Sequence, residues 1–372
     1  MKVSLSKLNL TYGDFTAVKS LDLTIDDGES VVLLGQSGCG KTSTMRCIAG
    51  LEQPTGGSIA IGETTVFDYN SNTNVPSFKR NVGMVFQSYA VWPHKTVLEN
   101  VSFPLQLKKV PKKDIRRRAL ATLEMVGLAH LADRGASQLS GGQMQRVALA
   151  RSMAMEPSVL LLDEPLSNLD ARLRDDLRVE LRRIQLERGL TSMYVTHDQQ
   201  EALALADRIA IMQSGYITQL AAPAELYRRP NSASIARFLG VANVFSVGAI
   251  HGNGHYELSG YPMSVVAEDQ RVHGEASVCF RPEDVLVESA PALPEAGAPN
   301  SWSGTVTVAV FQGATVRYQI ELDGGARIEA TCTETPGSAR AAGEPVTVRV
   351  RPERVLVLPD DTVPTETLEV AA

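Results

Sequence analysis

The sequence predicts an α/β protein: a mainly parallel core sheet covered by helices, carrying a helical subdomain, and followed by a small all-β domain. Three observations carry this. A glycine-rich loop lies between a buried-strand run and a helical pattern near the start of the chain. Between residues 140 and 212, short apolar runs alternate with helical patterns, which is how parallel strands are connected. After about residue 239 the helical period stops, and short alternating segments separated by glycine-containing turns take over. The 372 residues are enough for two or three domains.

Taken in order, residues 3–12 alternate loosely, residues 21–25 follow, and 30–34 (Ser-Val-Val-Leu-Leu) form a buried-strand run after an Asp-Asp-Gly turn. A helical pattern occupies 41–49. Residues 68–77 are rich in Asn and Ser and read as an extended loop. From about 88 to 138 the pattern is mostly helical, with a basic run at 108–118, so a helical subdomain is expected over about 88–158. Helix (140–155), strand (159–162), helix (171–187), strand (192–195), helix (199–206) and strand (209–212) then alternate. The first domain is placed at 1–239 and the β domain at 240–358.

In the β domain, residues 305–310, 317–322 and 346–350 have the period of strands. Val-Cys-Phe-Arg-Pro-Glu-Asp-Val-Leu-Val at 278–287 echoes Val-Arg-Val-Arg-Pro-Glu-Arg-Val-Leu-Val at 348–357, and two related β-units side by side are the simplest account. The Pro- and Ala-rich stretch 289–300 reads as a linker or long loop, and 359–372 as a disordered tail.

Composition narrows the function. Apolar residues make up 44% and charged residues 21%, a globular profile. The formal net charge of −6 argues against a whole-protein nucleic-acid binder. No run approaches the roughly 20 apolar residues that span a bilayer, and the first residues do not form a signal peptide. Service to a membrane would therefore go through a partner. The cysteines Cys39, Cys47, Cys279 and Cys332 show no metal-ligand spacing and read as reduced thiols.

The chemistry is concentrated in four places. Gly35-Gln36-Ser37-Gly38-Cys39-Gly40-Lys41-Thr42 matches the phosphate-loop pattern, with Thr44 just beyond it. Glycines let backbone N–H groups curl around phosphate oxygens at a helix N-terminus; Lys41 reaches the β- and γ-phosphates, and the Thr42 hydroxyl ligates Mg²⁺. By chance this pattern arises in about one chain in a hundred at average residue usage. The apolar run 159–162 ends in Asp163 and Glu164; beside a phosphate loop, Asp163 suits Mg²⁺ and Glu164 suits a general base. Ser140-Gly141-Gly142-Gln143 opens an amphipathic helix, either as a plain N-cap or as a second phosphate-binding helix end. With one cradle already at 35–42, that second end invites a nucleotide held by another copy of the chain.

Leu139–Gln143, lying between the phosphate loop and the acidic strand, resembles the signature motif of ATP-binding-cassette ATPases, and the likeness extends over residues 1–239. The resemblance implies further roles. Tyr12 stacks on adenine, where it would otherwise be an ordinary strand tyrosine. Gln87 is similar to the glutamine that senses Mg²⁺ and reports to membrane subunits. Ser167-Asn-Leu-Asp170 resembles the loop that crosses the dimer interface, and His197 resembles the histidine that bonds the γ-phosphate. Ser140, Gly142 and Asp170 are thereby expected at an interface between two cassettes packed head to tail. Tyr89, Trp92 and His94 resemble the groove that receives a partner's coupling helix, the alternative being an internal packing cluster. The basic run at 108–118 reads more simply as a solvated helix face.

The β-rich third resembles the paired oligonucleotide/oligosaccharide-binding-like folds appended to importer ATPases for maltose-type sugars, polyamines, ferric iron, sulfate and phosphonates. The function so implied is ATP binding and hydrolysis that powers solute import, of ferric iron, a polyamine or a phosphonate. The partners implied are a second copy, transmembrane permease subunits at the cytoplasmic face of the inner membrane and, indirectly, a periplasmic solute-binding protein, with no nucleic acid. A non-transport cassette ATPase acting on nucleic acid or ribosomes is the competing reading; two cassettes or a coiled-coil insertion would mark it, and neither is visible.

Overall fold

The computed structural model describes residues 1–268, 275–289, 299–334 and 339–360. The expected tail beyond 360, and most of the Pro- and Ala-rich stretch, lie outside these residues. The chain divides into two compact units, Met1–Arg228 and Arg229–Ala372.

The first unit opens with the hairpin β1 (Val3–Tyr12) and β2 (Phe15–Ile25), turned by Gly13-Asp14. After β3 (Ser30–Gly35) and α1 (Lys41–Ala49) come β4 (Gly56–Ile61), β5 (Thr64–Asp68) and the two-residue β6 (Thr73–Asn74). The expected loop at 68–77 is therefore the turn and return strand of a hairpin. Next are β7 (Val82–Val85) and three mutually packed helices: α2 (Val97–Leu107), α3 (Lys112–Met125) and α4 (Gly141–Met153). Then follow β8 (Val159–Asp163), α5 (Ala171–Arg188), β9 (Ser192–Thr196) and α6 (Gln199–Leu205). The unit closes with β10 (Arg208–Gln213), β11 (Tyr216–Ala221) and α7 (Pro223–Arg228).

These strands form two sheets. One is antiparallel, in the order β2-β1-β4-β5-β6; the other is ordered β11-β10-β3-β9-β8-β7 and is parallel except at β11. The parallel core was legible in the sequence, and the separate antiparallel sheet is an addition to it. Every residue of β3, β8 and β9 is buried, so their sequences run continuously apolar rather than alternating. A single core joins both sheets to α1, through Leu8, Leu33, Ile48, Phe67 and Leu161 among others. Each such side chain contributes about 1.5–3 kcal/mol by leaving water.

The parallel register positions the site. Leu34 pairs with Thr196, Asp163 with Val195, and Val85 with Leu162. The loops that follow β3, β8, β9 and β7 therefore emerge along one edge of the sheet, the edge where α/β sheets bind ligands.

One buried cation secures the helix behind the phosphate loop. Arg80 is 3% exposed and donates from Nη1 to the carbonyls of Cys47 and Ile48 at the end of α1 (2.7 and 3.0 Å). Its Nε donates to Val75 O and its Nη2 to Asn74 Oδ1, tying β6 and the residue after it to that helix end. These bonds satisfy carbonyls that a helix leaves without partners.

In the second unit, α8 (Ala233–Phe238) precedes β12 (Asn243–His251), β13 (His255–Leu258), β14 (Ser264–Val266) and β15 (Ala276–Phe280). Then come β16 (Val285–Ser289), β17 (Ser301–Phe311), β18 (Thr315–Leu322), β19 (Arg327–Thr333), β20 (Pro345–Val350) and β21 (Leu356–Pro359). Ala233 and Ala236 of α8 pack with Val241 and Cys279, so this helix falls in the second unit, whereas the sequence reading ran the first domain on to 239.

The strands make two antiparallel five-stranded sheets, β14-β13-β12-β15-β21 and β16-β20-β17-β18-β19. The two Arg-Pro-Glu repeats do not form separate units. Each is a strand, a short 3₁₀ turn and a strand, and they interleave: β15 pairs with β21 while β16 pairs with β20. Each repeat thus gives one strand to each sheet.

Replacing Arg80 with Ala takes the guanidinium donor from the Ile48 and Val75 carbonyls, while Cys47 O keeps the Gly50 N–H at 3.2 Å, and we expect the unfolding free energy to fall by about 2 kcal/mol or more, read from urea denaturation.

Candidate functional site

The phosphate loop follows from the end of β3. Gly40 takes φ 103°, and a side chain there would overlap the Ala17 carbonyl, so only glycine fits. With Gly40 as its N-cap, α1 begins without a side-chain cap, leaving its first N–H groups and positive end facing the loop. Lys41 is 5% exposed, and its ammonium donates to the carbonyls of Gly35 and Gln36, both at 2.8 Å. Gln36, Ser37 and Gly38 are exposed, while Cys39 is buried with Sγ 3.8 Å from Lys41 Nζ. Thr44 does not join them. It is fully buried, and its hydroxyl turns back to donate to Gly40 O at 2.9 Å.

Thr42 Oγ1 donates to Asp163 Oδ1 at 2.9 Å across the end of β8. Burial holds the Asp163 carboxyl above its usual range, opposed by that hydrogen bond and by Arg46 and Lys41. A hydroxyl and a buried carboxylate beside a phosphate cradle are the oxygen donors that a hard divalent cation takes together with substrate oxygens.

Glu164 leaves β8 in the left-handed region, φ 41°, a conformation that costs a non-glycine residue about 1–3 kcal/mol and clusters at functional sites. Its carboxylate is shared. His197 Nδ1 lies 3.1 Å from Oε1, and Gln87 Nε2 donates to Oε2 at 3.3 Å. The loop after Glu164 fastens to the glutamine loop: Asn168 Nδ2 donates to Gln87 O at 2.9 Å, and Gln87 Nε2 lies 3.4 Å from Ser167 Oγ. Asp170 caps α5 by accepting from Leu173 N. The resemblance covers the whole loop from Ser167 to Asp170, but the contacts of Ser167 and Asn168 with Gln87 carry no sequence signal, because that partner lies 80 and 81 residues away.

At α4 the capping box is complete. Ser140 Oγ accepts from Gln143 N, and Gln143 Oε1 accepts from Ser140 N. Gly141 and Gly142, inside the first turn, keep N–H groups with no partner within the helix. A side chain on Gly142 would press on the Leu173 side chain of α5, which would have to move aside.

Tyr12, at the end of β1, has a half-exposed ring, and its hydroxyl donates to Glu52, which Arg46 also contacts at 3.3 Å. Burial, then the Glu52 contact, raises the phenol above its ordinary range. Neither Glu52 nor Arg46 carries a sequence signal for this role.

Of the three residues expected to meet a partner, only Trp92 lines a groove, of about 650 Å³, with Phe78, Phe103, Leu107, Arg151 and Met155. Trp92 packs edge-on against Phe103 and under the Arg151 guanidinium, 4.7 Å in each case. Arg151 also donates to the carbonyls of Ala90 and Tyr89, residues with positive φ. Tyr89 instead packs with Leu166, Leu169 and Leu177, and His94 is exposed outside the groove.

A loop that cradles phosphates, beside an acid that the fold holds under strain, defines a nucleoside-triphosphate-hydrolysing protein of the P-loop class. Comparison with known proteins narrows the class. The ABC transporter family model matches residues 18–167 and the TOBE domain model residues 278–358. The chain is 45% identical over 326 residues to the Fe(3+) ions import ATP-binding protein FbpC of Brucella melitensis, covering 87% of this chain and 88% of that protein. It is 44% identical over 282 residues to the trehalose/maltose import ATP-binding protein MalK of Thermococcus litoralis, covering 74% and 76%. Among solved structures, cbiO1 from Clostridium perfringens, part of the ABC transporter complex cbiONQ, matches with TM-score 0.55 and 31% identity over 60% of this chain and 90% of that one. The dimeric bacterial ABC transporter cassette MJ0796 matches with TM-score 0.52 and 33% identity, over 59% and 98%.

The chain belongs to the ABC transporter family, among its import ATP-binding subunits, and is an ATPase. No helix among the described residues is long and apolar enough to cross a membrane.

Glu164→Gln should lower kcat for ATP hydrolysis by about 10²-fold or more, the range for loss of a general base, while nucleotide binding followed by fluorescence titration persists. Burial raises the thiols, Cys47 and Cys279 to about 12, and a raised pKa leaves little thiolate at pH 8. Iodoacetamide at that pH should leave both unmodified in the native chain and label them after denaturation, as mass spectrometry of peptides would read.

Proposed function

We propose that two copies of this chain close head to tail around ATP and Mg²⁺, and that hydrolysis by Glu164 reopens them to drive import of ferric iron through a membrane permease at the cytoplasmic face. The observation that carries this is the doubly engaged Glu164 carboxylate at the sheet edge, next to the phosphate loop.

Both carboxylate oxygens of Glu164 face a donor, His197 on one and Gln87 on the other. An imidazole whose Nδ1–H points at Glu164 has only an acceptor at Nε2 unless it is doubly protonated. To donate to a γ-phosphate, a neutral His197 must therefore let go of Glu164. ATP draws His197 and Gln87 towards its own charge, and the released carboxylate is free to orient water. Thr42, Asp163 and Gln87 would hold Mg²⁺, which when bound neutralises charge on the phosphate oxygens. Ser140, Gly142 and the exposed Asp170 serve the second copy, the helix end at α4 adding N–H donors to the nucleotide across the dimer. Tyr12 offers its ring face to the adenine.

Because ATP contacts both copies, it favours the closed pair, and hydrolysis removes that preference. The Trp92 groove suits an inserted partner helix from the permease. Ferric iron is favoured as cargo by the likeness to iron-import ATP-binding proteins over 87% of the chain, against 74% for the trehalose/maltose relative. A solute-binding protein would deliver it from the other side of the membrane.

Two measurements test this. Glu164→Gln with ATP and Mg²⁺ should elute as a dimer on size-exclusion chromatography and as a monomer without nucleotide; a monomer in both contradicts the closure model. Cells lacking the chain should lose uptake of radiolabelled ferric iron but keep that of maltose and trehalose, and the opposite pattern assigns a sugar instead.

A further inference from the structure

Arg174 lies in the first turn of α5 and belongs to none of the motifs above. Its guanidinium reaches two segments, the loop after Glu164 and the start of α6 after His197. Nη2 donates to Leu169 O at 3.1 Å, in the loop after Glu164. Nη1 donates to Asp198 Oδ2 at 3.4 Å, and Nε lies 3.9 Å from Glu201 Oε1.

Both acidic partners hold the turn that carries His197. Asp198 caps α6 by accepting from Gln200 N and Glu201 N, and its own N–H donates to Thr196 Oγ1. Glu201, 2% exposed, accepts from Thr196 Oγ1 at 2.8 Å and from Tyr194 OH at 2.9 Å. Thr196 and Asp198 flank His197. On the other side, Leu169 adjoins Asn168, whose amide holds the Gln87 carbonyl. A single side chain thus joins the histidine turn to the loop that anchors the glutamine.

We infer that Arg174 is a positioning residue for hydrolysis, fixing the loop after Glu164 against the His197 turn within one chain so that the base and the two groups that engage it, His197 and Gln87, keep their spacing. The inference rests on Glu164 and His197 being the hydrolytic pair. A planar guanidinium can donate to a carbonyl and a carboxylate from fixed directions while its charge lies near a second carboxylate, which a lysine ammonium on a flexible stem cannot reproduce. The phosphate loop and Tyr12 lie on other elements, so loss of the brace is felt in the hydrolytic step more than in ATP binding. Spatial proximity does not establish energetic coupling, and a double-mutant cycle does.

The test is steady-state ATPase kinetics of the purified full chain carrying Arg174→Gln, Arg174→Lys, Asp198→Asn and the Arg174→Gln/Asp198→Asn pair, with melting temperatures alongside. Asn caps a helix about as well as Asp, so Asp198→Asn removes the charge and keeps the cap. Arg174→Gln should lower kcat by about tenfold or more, as misplacement of reacting groups does, with KM for ATP changed less than about twofold. Arg174→Lys should fall between it and the unaltered chain, and the double variant should lose no more than Arg174→Gln alone. The inference fails if the two losses multiply, if kcat and KM change in proportion, or if only the melting temperature moves. Should Arg174→Gln not fold, Arg174→Lys with Asp198→Asn completes the same cycle under the same criteria. Glu164→Gln and His197→Ala separate the two levels. If they keep full turnover, the hydrolytic assignment itself is wrong; if they lose it while the Arg174 variants do not, only the positioning role is wrong.

Discussion

The placement of one carboxylate governs the rest of this structure. Glu164 sits where a wholly buried strand ends, in a backbone conformation that an L-residue adopts only under constraint, with a histidine on one oxygen and a glutamine on the other. Asp163 directly before it is tied to Thr42, and Ser167 and Asn168 after it are tied back to Glu164 and Gln87. Strain at one residue persists because its neighbours on both sides over-determine it.

That placement depends on the parallel sheet. Only when β3, β9, β8 and β7 run in the same direction, in this order, do residues about 30 to 160 positions apart in the chain meet on one edge. The sheet in turn depends on continuous apolar burial on both faces, from α1 and the antiparallel sheet among others. The strands cannot expose their backbone to water, so the polar chemistry is carried on the loops beyond them. Arg80 closes the far end of α1, whose near end forms the nucleotide cradle. The helix is thus bonded at the end away from the ligand and left with unpaired N–H groups at the end facing it.

Much of this was legible from residue order. The phosphate loop, the acidic strand end and the capped helix at Ser140 are local patterns, whereas Gln87 and His197 stood out only through the family resemblance; all of them lie at strand ends or a helix start in the structure. The parallel core was legible because 159–162 and 192–195 are uninterrupted apolar runs. The antiparallel sheet was less so: β4 begins Gly-Gly-Ser, β6 is two residues long, and the pairing of β1 with β4 spans more than fifty residues. Thr44 lies just beyond the motif, and its hydroxyl turns back to Gly40 O rather than towards the cradle, which its place in the sequence does not reveal. Tyr89 and Trp92 lie three residues apart, yet positive φ at Tyr89 and Ala90 sends the two rings to different neighbours. The echo of 278–287 at 348–357 disclosed a repeat but not its register, and register is what makes the two copies interleave. Glu52, Arg151 and Arg174 carry no pattern, since each acts by reaching segments distant in sequence.

The central claim is that this ATPase exists to drive a permease. The most direct measurement is affinity purification of the tagged chain from membranes of its native cell, gently solubilised, with mass spectrometry of the proteins retained. The account predicts a multi-spanning permease in stoichiometric amounts, lost when Trp92 is replaced by a charged residue. Recovery of ribosomal or DNA-bound proteins with no permease would contradict it, leaving an ATPase whose work lies elsewhere.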